Sequence, residues 1–446
     1  MRAWPLAIAL ACSAANLAVP VLAETLAAPQ ALTLERVFAS PDLSGPQPQA
    51  LRLSPDGSLL TLVRNRADER TRYDLWAIDT RTGAERMLVD SRKVGSGAAL
   101  SEAEKMQRER DRSKTGKTGV LDYDWSPEGR SLLVPIDGEL FLANLAGEAR
   151  RIEGTKGALN PAISPRGGFL SFVRDQNLWV QPLAGGAARA LTSGGGTVHF
   201  GEAEFVAQEE MDRRTGYWWS PDDRHLAIER FDEAPVKVFT RAAIGASGTN
   251  IYQQRYPAAG TPNALVELWV MRADGSGRVK VDLGNGLDFS LARVNWLPDG
   301  SALLVQRESR DQRTLDMLRV DPATGKATVM FTEKAGEKSW INLSDAYRVM
   351  PDGSLLWRSE RDGFAHLYRW KTGKWTQLTK GDWVVSALVG VDDASGRIFF
   401  TGNRDGVLEQ HLYALEPDGH GITRLTEAGW WNSASADARG SRFIIT

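Results

Sequence analysis

The chain has a single cysteine among its 446 residues, Cys12, so no disulfide can form within it. Its five histidines are scattered, and no group of His, Cys and acidic residues shows metal-ligand spacing. Neither a metal centre nor any other cofactor is therefore expected. A Gly-x-Ser-x-Gly nucleophile elbow is missing. So is any basic stripe: 54 Lys and Arg are interspersed with 56 Asp and Glu, for a net charge of −2, which argues against a nucleic-acid partner. Low-complexity tracts are absent too. What the chain has in quantity is Trp (15) and Gly (43), a pairing that fits many short strands joined by tight turns.

The N-terminus reads as a secretory signal over residues 1–23. Arg2 carries the positive charge, Leu6 to Val21 is an apolar and small-residue run, and Val21-Leu22-Ala23 is a small-residue cleavage site. Removal of this segment would take Cys12 with it and leave no membrane attachment; a retained anchor is the alternative. Lipid attachment at Cys12 is disfavoured, because Ala9 stands where a large aliphatic residue is needed. Export without disulfides points to a bacterial periplasm or to secretion. Residues 24–50 form a lead-in, and a repeat array occupies 51–446.

The repeat is a phrase of a hydrophobic residue, Ser, Pro, an acid and Gly, followed by an apolar run. It occurs at Leu53-Ser54-Pro55-Asp56-Gly57, Trp125-Ser126-Pro127-Glu128-Gly129, Ile163-Ser164-Pro165-Arg166-Gly167 and Trp219-Ser220-Pro221-Asp222-Asp223. It returns at Trp296-Leu297-Pro298-Asp299-Gly300 and Met350-Pro351-Asp352-Gly353, with degenerate copies at Asp392–Gly396 and Ser435–Gly440. Pro presets φ, Asp bonds back to the backbone, and Gly takes a positive φ, so each phrase is a turn between strands. A meander of that size cannot bury both faces alone. Repetition at about 40 to 50 residues is what a β-propeller requires, each blade covering the next. The expected fold is all-β: an eight-bladed β-propeller whose last blade is incomplete.

Two intervals exceed the period, Ser54 to Ser126 and Ser220 to Leu297, each by an insertion of roughly 30 residues. The first holds Ser101-Glu102-Ala103-Glu104, a capping box that opens a short helix in the first blade containing Arg108, Arg110 and Arg112. That helix has almost no apolar stripe, so its arginines face solvent or a wet cleft.

Ahead of the fourth turn phrase stand Glu209 and Glu210. On a strand they would point to opposite faces, but on a helical turn or tight loop they could converge on one cation. A protonated α-amine, with three donors, suits such a pair. The alternative is a solvated acidic pair beside Arg213 and Arg214.

The run Phe205-Val206-Ala207-Gln208-Glu209-Glu210-Met211-Asp212-Arg213, continued by Thr215-Gly216-Tyr217-Trp218-Trp219-Ser220-Pro221-Asp222, resembles the double-glutamate signature of the dipeptidyl peptidase IV family, particularly its bacterial branch. Similar segments follow at Arg230–Glu233, Tyr256–Gly260, Trp340–Leu343 and Ser359–Phe364 with His366-Leu367-Tyr368. In that family an eight-bladed propeller caps an α/β-hydrolase domain carrying a Ser-Asp-His triad, and dipeptides with Pro or Ala second are released from free N-termini. The resemblance implies that Glu209 and Glu210 hold the substrate amine, and that an arginine of the inserted helix, Arg108 first and Arg110 or Arg112 otherwise, bonds the substrate backbone. It implies also that the insertion around Val236 to Tyr256 is a dimerisation arm, making the intact protein a homodimer. No position here matches the hydrolase domain, so no catalytic residue is assigned, and the chain by itself is expected to bind peptides weakly and cleave nothing. A stand-alone periplasmic propeller that binds peptides or proteins is the alternative reading.

Overall fold

The turn phrases mark the places where the chain reverses. The computed structural model describes residues 32–95, 97, 104, 105, 108, 114, 116–246, 248–284 and 288–446. At the first phrase Gly57 adopts φ 70°. Its N–H donates to the Ser54 carbonyl at 2.8 Å, and Ser54 N–H donates to the Leu59 carbonyl at 2.8 Å. Ser54 Oγ donates to Asp56 Oδ1 at 2.6 Å, and that oxygen also accepts from Ser58 N–H at 3.0 Å. Asp56 is thereby held well below the usual carboxylate range, at about 2, by the Ser54 hydroxyl first and the Ser58 groups next. The carboxylate thus takes the place of a missing backbone partner.

Among the described residues the strands form antiparallel meanders in chain order. Sheet 1 (Pro48–Val89) has four meander strands plus Thr118–Gly119, which adds in parallel beside Arg72–Asp79. Sheets 2 (Asp124–Arg151) and 3 (Leu159–Ala190) have four strands each. Sheet 4 (Val198–Lys280) has five, and sheets 5 (Phe289–Lys334), 6 (Tyr347–Gln377) and 7 (Val385–Arg424) have four. Sheet 8 (Ala434–Ile445) is two-stranded. A separate two-stranded hairpin, Val238–Gly245 with Gly248–Arg255, projects from sheet 4.

Each sheet buries its faces on its neighbours. Leu132 and Val134 of sheet 2 pack with Val63 and Leu75 of sheet 1, while Leu133 and Leu140 pack with Leu170 and Phe172 of sheet 3. Odd and even positions of one strand therefore serve opposite neighbours, which is why the strands read as continuous apolar runs. The same relation links sheet 3 to 4, 4 to 5, 5 to 6, 6 to 7 and 7 to 8. The ring closes where Arg442 of sheet 8 donates to the Gly57 carbonyl of sheet 1 at 3.1 Å and to Thr80 Oγ1. This is a β-propeller.

Tryptophans of the turn phrases tie consecutive sheets together. Trp125 Nε1 donates to Thr61 Oγ1 at 3.1 Å, Trp219 Nε1 to Ser171 Oγ at 2.9 Å, and Trp296 Nε1 to the Trp218 carbonyl at 3.0 Å. Each joins apolar burial to a directed bond across the seam between sheets. No described helix is long and apolar enough to cross a membrane.

Candidate functional site

The innermost strand of sheet 4 is broken. Val198–Glu202 pairs with the far end of His225–Asp232, and Thr215–Trp219 pairs with its near end. Between the two halves the chain leaves the sheet, forms the helix Phe205–Glu209 and returns. Glu204 is the helix N-cap: its carboxylate accepts from Val206 N–H at 2.6 Å and Ala207 N–H at 2.9 Å. Acidic caps are favourable there, because the first helical N–H groups have no partner within the helix. Ala203, Ala207 and Met211 form the buried underside, against Ala292 of sheet 5.

Glu209 ends the helix and Glu210 is its C-cap, with Glu210 N–H donating to the Val206 carbonyl at 2.9 Å. Both side chains are exposed. The excursion thus puts both residues on one helical turn. Asp212 then takes φ 50°, and Arg213 N–H closes the loop on the Ala207 carbonyl at 3.0 Å.

Arg213 turns inward, although it follows an exposed acidic stretch. It is 6% exposed, with Nη1 donating to Glu229 Oε2 at 2.5 Å and to the Thr215 carbonyl at 2.8 Å. Its Nη2 donates to the Leu291 carbonyl of sheet 5 at 2.8 Å. Glu229 is fully buried, and burial pushes its carboxyl up to about 7 against the opposing pull of Arg213. Glu204 is raised as well, again by burial first, with Arg213 and the capped N–H groups opposing.

Arg108 is half-buried and bonds Glu104 Oε1 through Nη2 at 2.9 Å. With Glu104, Lys114, Asp122, Asn160 and Arg214 it lines a cavity of about 240 Å³. The inserted segment and the segment leaving the helix therefore share one polar cavity. Glu209 and Glu210 are not in its wall. Arg110 and Arg112 lie outside the described residues. Sequence reasoning singled out neither Lys114 nor Asp122, nor the buried Glu204, Arg213 and Glu229. The one legible signal was an acid, Glu204, placed where a helix would begin.

The excursion presents two exposed carboxylates, and the separate cavity presents guanidinium and amide groups. Comparisons with known proteins identify the family of the chain. Residues 152–446 match the family model described as dipeptidyl peptidase IV (DPP IV) N-terminal region. "Probable dipeptidyl peptidase 4" of Aspergillus flavus is 28% identical over 306 residues, 64% of this chain and 39% of that protein. Dipeptidyl peptidase 4 of Arthroderma otae is 28% identical over 323 residues, 65% of this chain and 41% of that protein. The crystal structure of Porphyromonas gingivalis dipeptidyl peptidase 4 superposes with a TM-score of 0.72 at 22% identity, covering 89% of this chain and 56% of that one, a likeness of fold. This chain spans about two fifths of the length of the curated relatives it matches. With its family model matched over residues 152–446, from the third sheet to the last, the chain belongs to the dipeptidyl peptidase IV N-terminal-region family.

Proposed function

We propose that this chain is the propeller and amine-anchoring part of a serine-type dipeptidyl peptidase, one that removes dipeptides with Pro or Ala in second position. The observation that carries the reading is the broken inner strand of sheet 4, which exposes Glu209 and Glu210 side by side on a single helical turn. Two charge-assisted bonds from a peptide's ammonium group would fix its end and so set the register of cleavage. Arg108, in a polar cavity with Arg214 and Asn160, suits the role of bonding the peptide backbone. Cleavage itself belongs to a hydrolase domain with a Ser-Asp-His triad, as in the family.

The hairpin Val238–Gly245 with Gly248–Arg255 exposes almost every side chain, including Ile244 at 84% and Ile251 at 68%, as an arm that pairs two protomers would. The apolar leader at residues 6–21 fits export to the periplasm or beyond.

Peptide binding tests the anchor. Glu209→Gln and Glu210→Gln should each weaken binding of an Ala-Pro-headed peptide by about tenfold or more, since a charge-assisted bond is worth about 1.5–3 kcal/mol. Isothermal titration measures it. Unchanged affinity in both variants would remove the anchoring role.

A further inference from the structure

Beneath the exposed pair, Glu204, Arg213 and Glu229 form a buried ionic cluster that touches no peptide in the reading above. They are 5%, 6% and 0% exposed. We infer that Arg213 and Glu229 are positioning residues, which with Glu204 clamp both ends of the Phe205–Glu209 excursion and so set the direction in which Glu209 and Glu210 meet a ligand's ammonium group. The inference rests on the amine-anchor reading.

A helix of five residues is far below the length that holds itself together in water. Its buried underside is small: Ala203, Ala207 and Met211 lie against Ala292, with Val206 and Leu343 packed at the edge. Phe205 adds an edge contact to the Tyr256 ring, and directed bonds supply the rest of the fixing, meeting at one carboxylate. Glu204 N–H, at the start, donates to Glu229 Oε1 at 3.4 Å. Arg213, at the end, donates to Glu229 Oε2 at 2.5 Å and reaches the Thr215 and Leu291 carbonyls. One residue of the continuous strand His225–Asp232 thus holds the entry and the exit of the detour in its partner strand. The guanidinium fork serves three acceptors in fixed directions, which a lysine could not reproduce.

A buried ionic cluster is an expensive way to stabilise a fold, since desolvation offsets most of its attraction. Here it lies under the place where the first strand of sheet 4 leaves its sheet to present two carboxylates. The charged side chains facing Glu229 are Arg213 and Glu204, and sheet 5 contributes the Leu291 carbonyl through Arg213. Because Glu229 takes up a proton near neutrality, acidification leaves Arg213 without its counter-charge below the anchor. Affinity for a free amine should then fall as pH drops through about 7. Ordinary exposed glutamates would hold their charge to about 2 pH units lower.

The test compares the wild-type chain with Glu229→Gln, Arg213→Lys and the double variant Glu209→Gln/Glu210→Gln. Its probe is an Ala-Pro-headed peptide with a free N-terminus, titrated from about pH 3.5 to about pH 7.5, below the pKa of the peptide amine. The expected result is an acid limb near pH 7 in wild type that moves down into the carboxylate range in Glu229→Gln. Affinity at the upper pH should fall about tenfold in Glu229→Gln, with no rescue by Arg213→Lys. A wild-type limb confined to the carboxylate range, or a Glu229→Gln variant with wild-type affinity and limb, overturns the inference. Should the double variant bind as wild type does, the anchor reading fails instead. Hydrogen exchange over residues 204–213 reads the clamp without any ligand. Exchange about tenfold faster in Glu229→Gln, with sheets 1 and 7 unchanged, supports it, whereas unchanged exchange at 204–213 contradicts it.

Discussion

Sheets 3 and 4 are neighbours built on the same meander, yet they treat charge in opposite ways. Sheet 3 runs uninterrupted through Leu159–Ala190 and buries Ser164, Ser171 and Gln181 but no ionisable side chain. Sheet 4 breaks its first strand, extrudes a hairpin farther on, and buries Glu204, Arg213, Asp223 and Glu229. Stacking sheets into a ring needs only apolar faces and turn bonds, as sheet 3 demonstrates. Glu204, Arg213 and Glu229 belong to the detour, and Asp223 to the turn that follows it. Sheet 4 also serves its neighbour. Sheet 3 has Arg166 where the turn phrase calls for an acid, and Asp223 of sheet 4 fills the gap. Its carboxylate accepts from Ser164 Oγ at 2.6 Å, Arg166 N–H at 2.9 Å and Gly168 N–H at 3.1 Å.

The largest effect that would sharpen this contrast comes from removing the guanidinium. Arg213→Ala leaves Glu229 buried without its partner and should cost about 3–5 kcal/mol. In sheet 3, Arg174→Ala removes a surface guanidinium stacked 4.0 Å from the Trp179 ring centroid and should cost about 1 kcal/mol. Urea denaturation measures both; equal losses would break the comparison.

Stability against pH comes next. Glu229 has a raised folded-state pKa, so its contribution is fully present below about 4.5 and is lost as pH rises through about 7. Between those limits wild type should lose on the order of 3 kcal/mol relative to Glu229→Gln. Parallel stability curves for the two proteins would show that Glu229 does not titrate in this window.

Asp223→Ala should cost about 1–3 kcal/mol, because it strips partners from the sheet 3 turn while altering its own sheet little. The loss should appear as faster hydrogen exchange at Arg166 and Gly168; protection lost only within sheet 4 would contradict the cross-sheet role. Smallest is Asp56→Ala in sheet 1, an exposed turn acid, at about 1 kcal/mol by thermal melting.

The scaffold was readable because it is local. Each turn phrase encodes its own hydrogen bonds within a few residues, so each of the eight phrases foretold one turn within a sheet. Cross-sheet partners were not readable. Nothing near Arg166 in the sequence names Asp223, since the two meet only when sheets 3 and 4 stack. Glu229 sits in a strand buried on both faces, Leu226-Ala227-Ile228-Glu229, where alternation carries no signal. Arg213, beside two glutamates and an aspartate, reads as a solvated ion-pair partner, yet the left-handed backbone at Asp212 turns it beneath the helix. The Glu209–Glu210 pair itself was chemically ambiguous in the sequence, and only the resemblance of the surrounding run to a family singled it out.

The most direct test of the amine anchor is the affinity of this chain for one Ala-Pro-headed peptide with its N-terminus free and with it acetylated, at a pH near 7. Acetylation removes the charge and two of the three donors while leaving the rest of the peptide intact. The account predicts a loss of about tenfold or more on acetylation, abolished in the Glu209→Gln/Glu210→Gln variant. Equal affinity for the two peptides would contradict it.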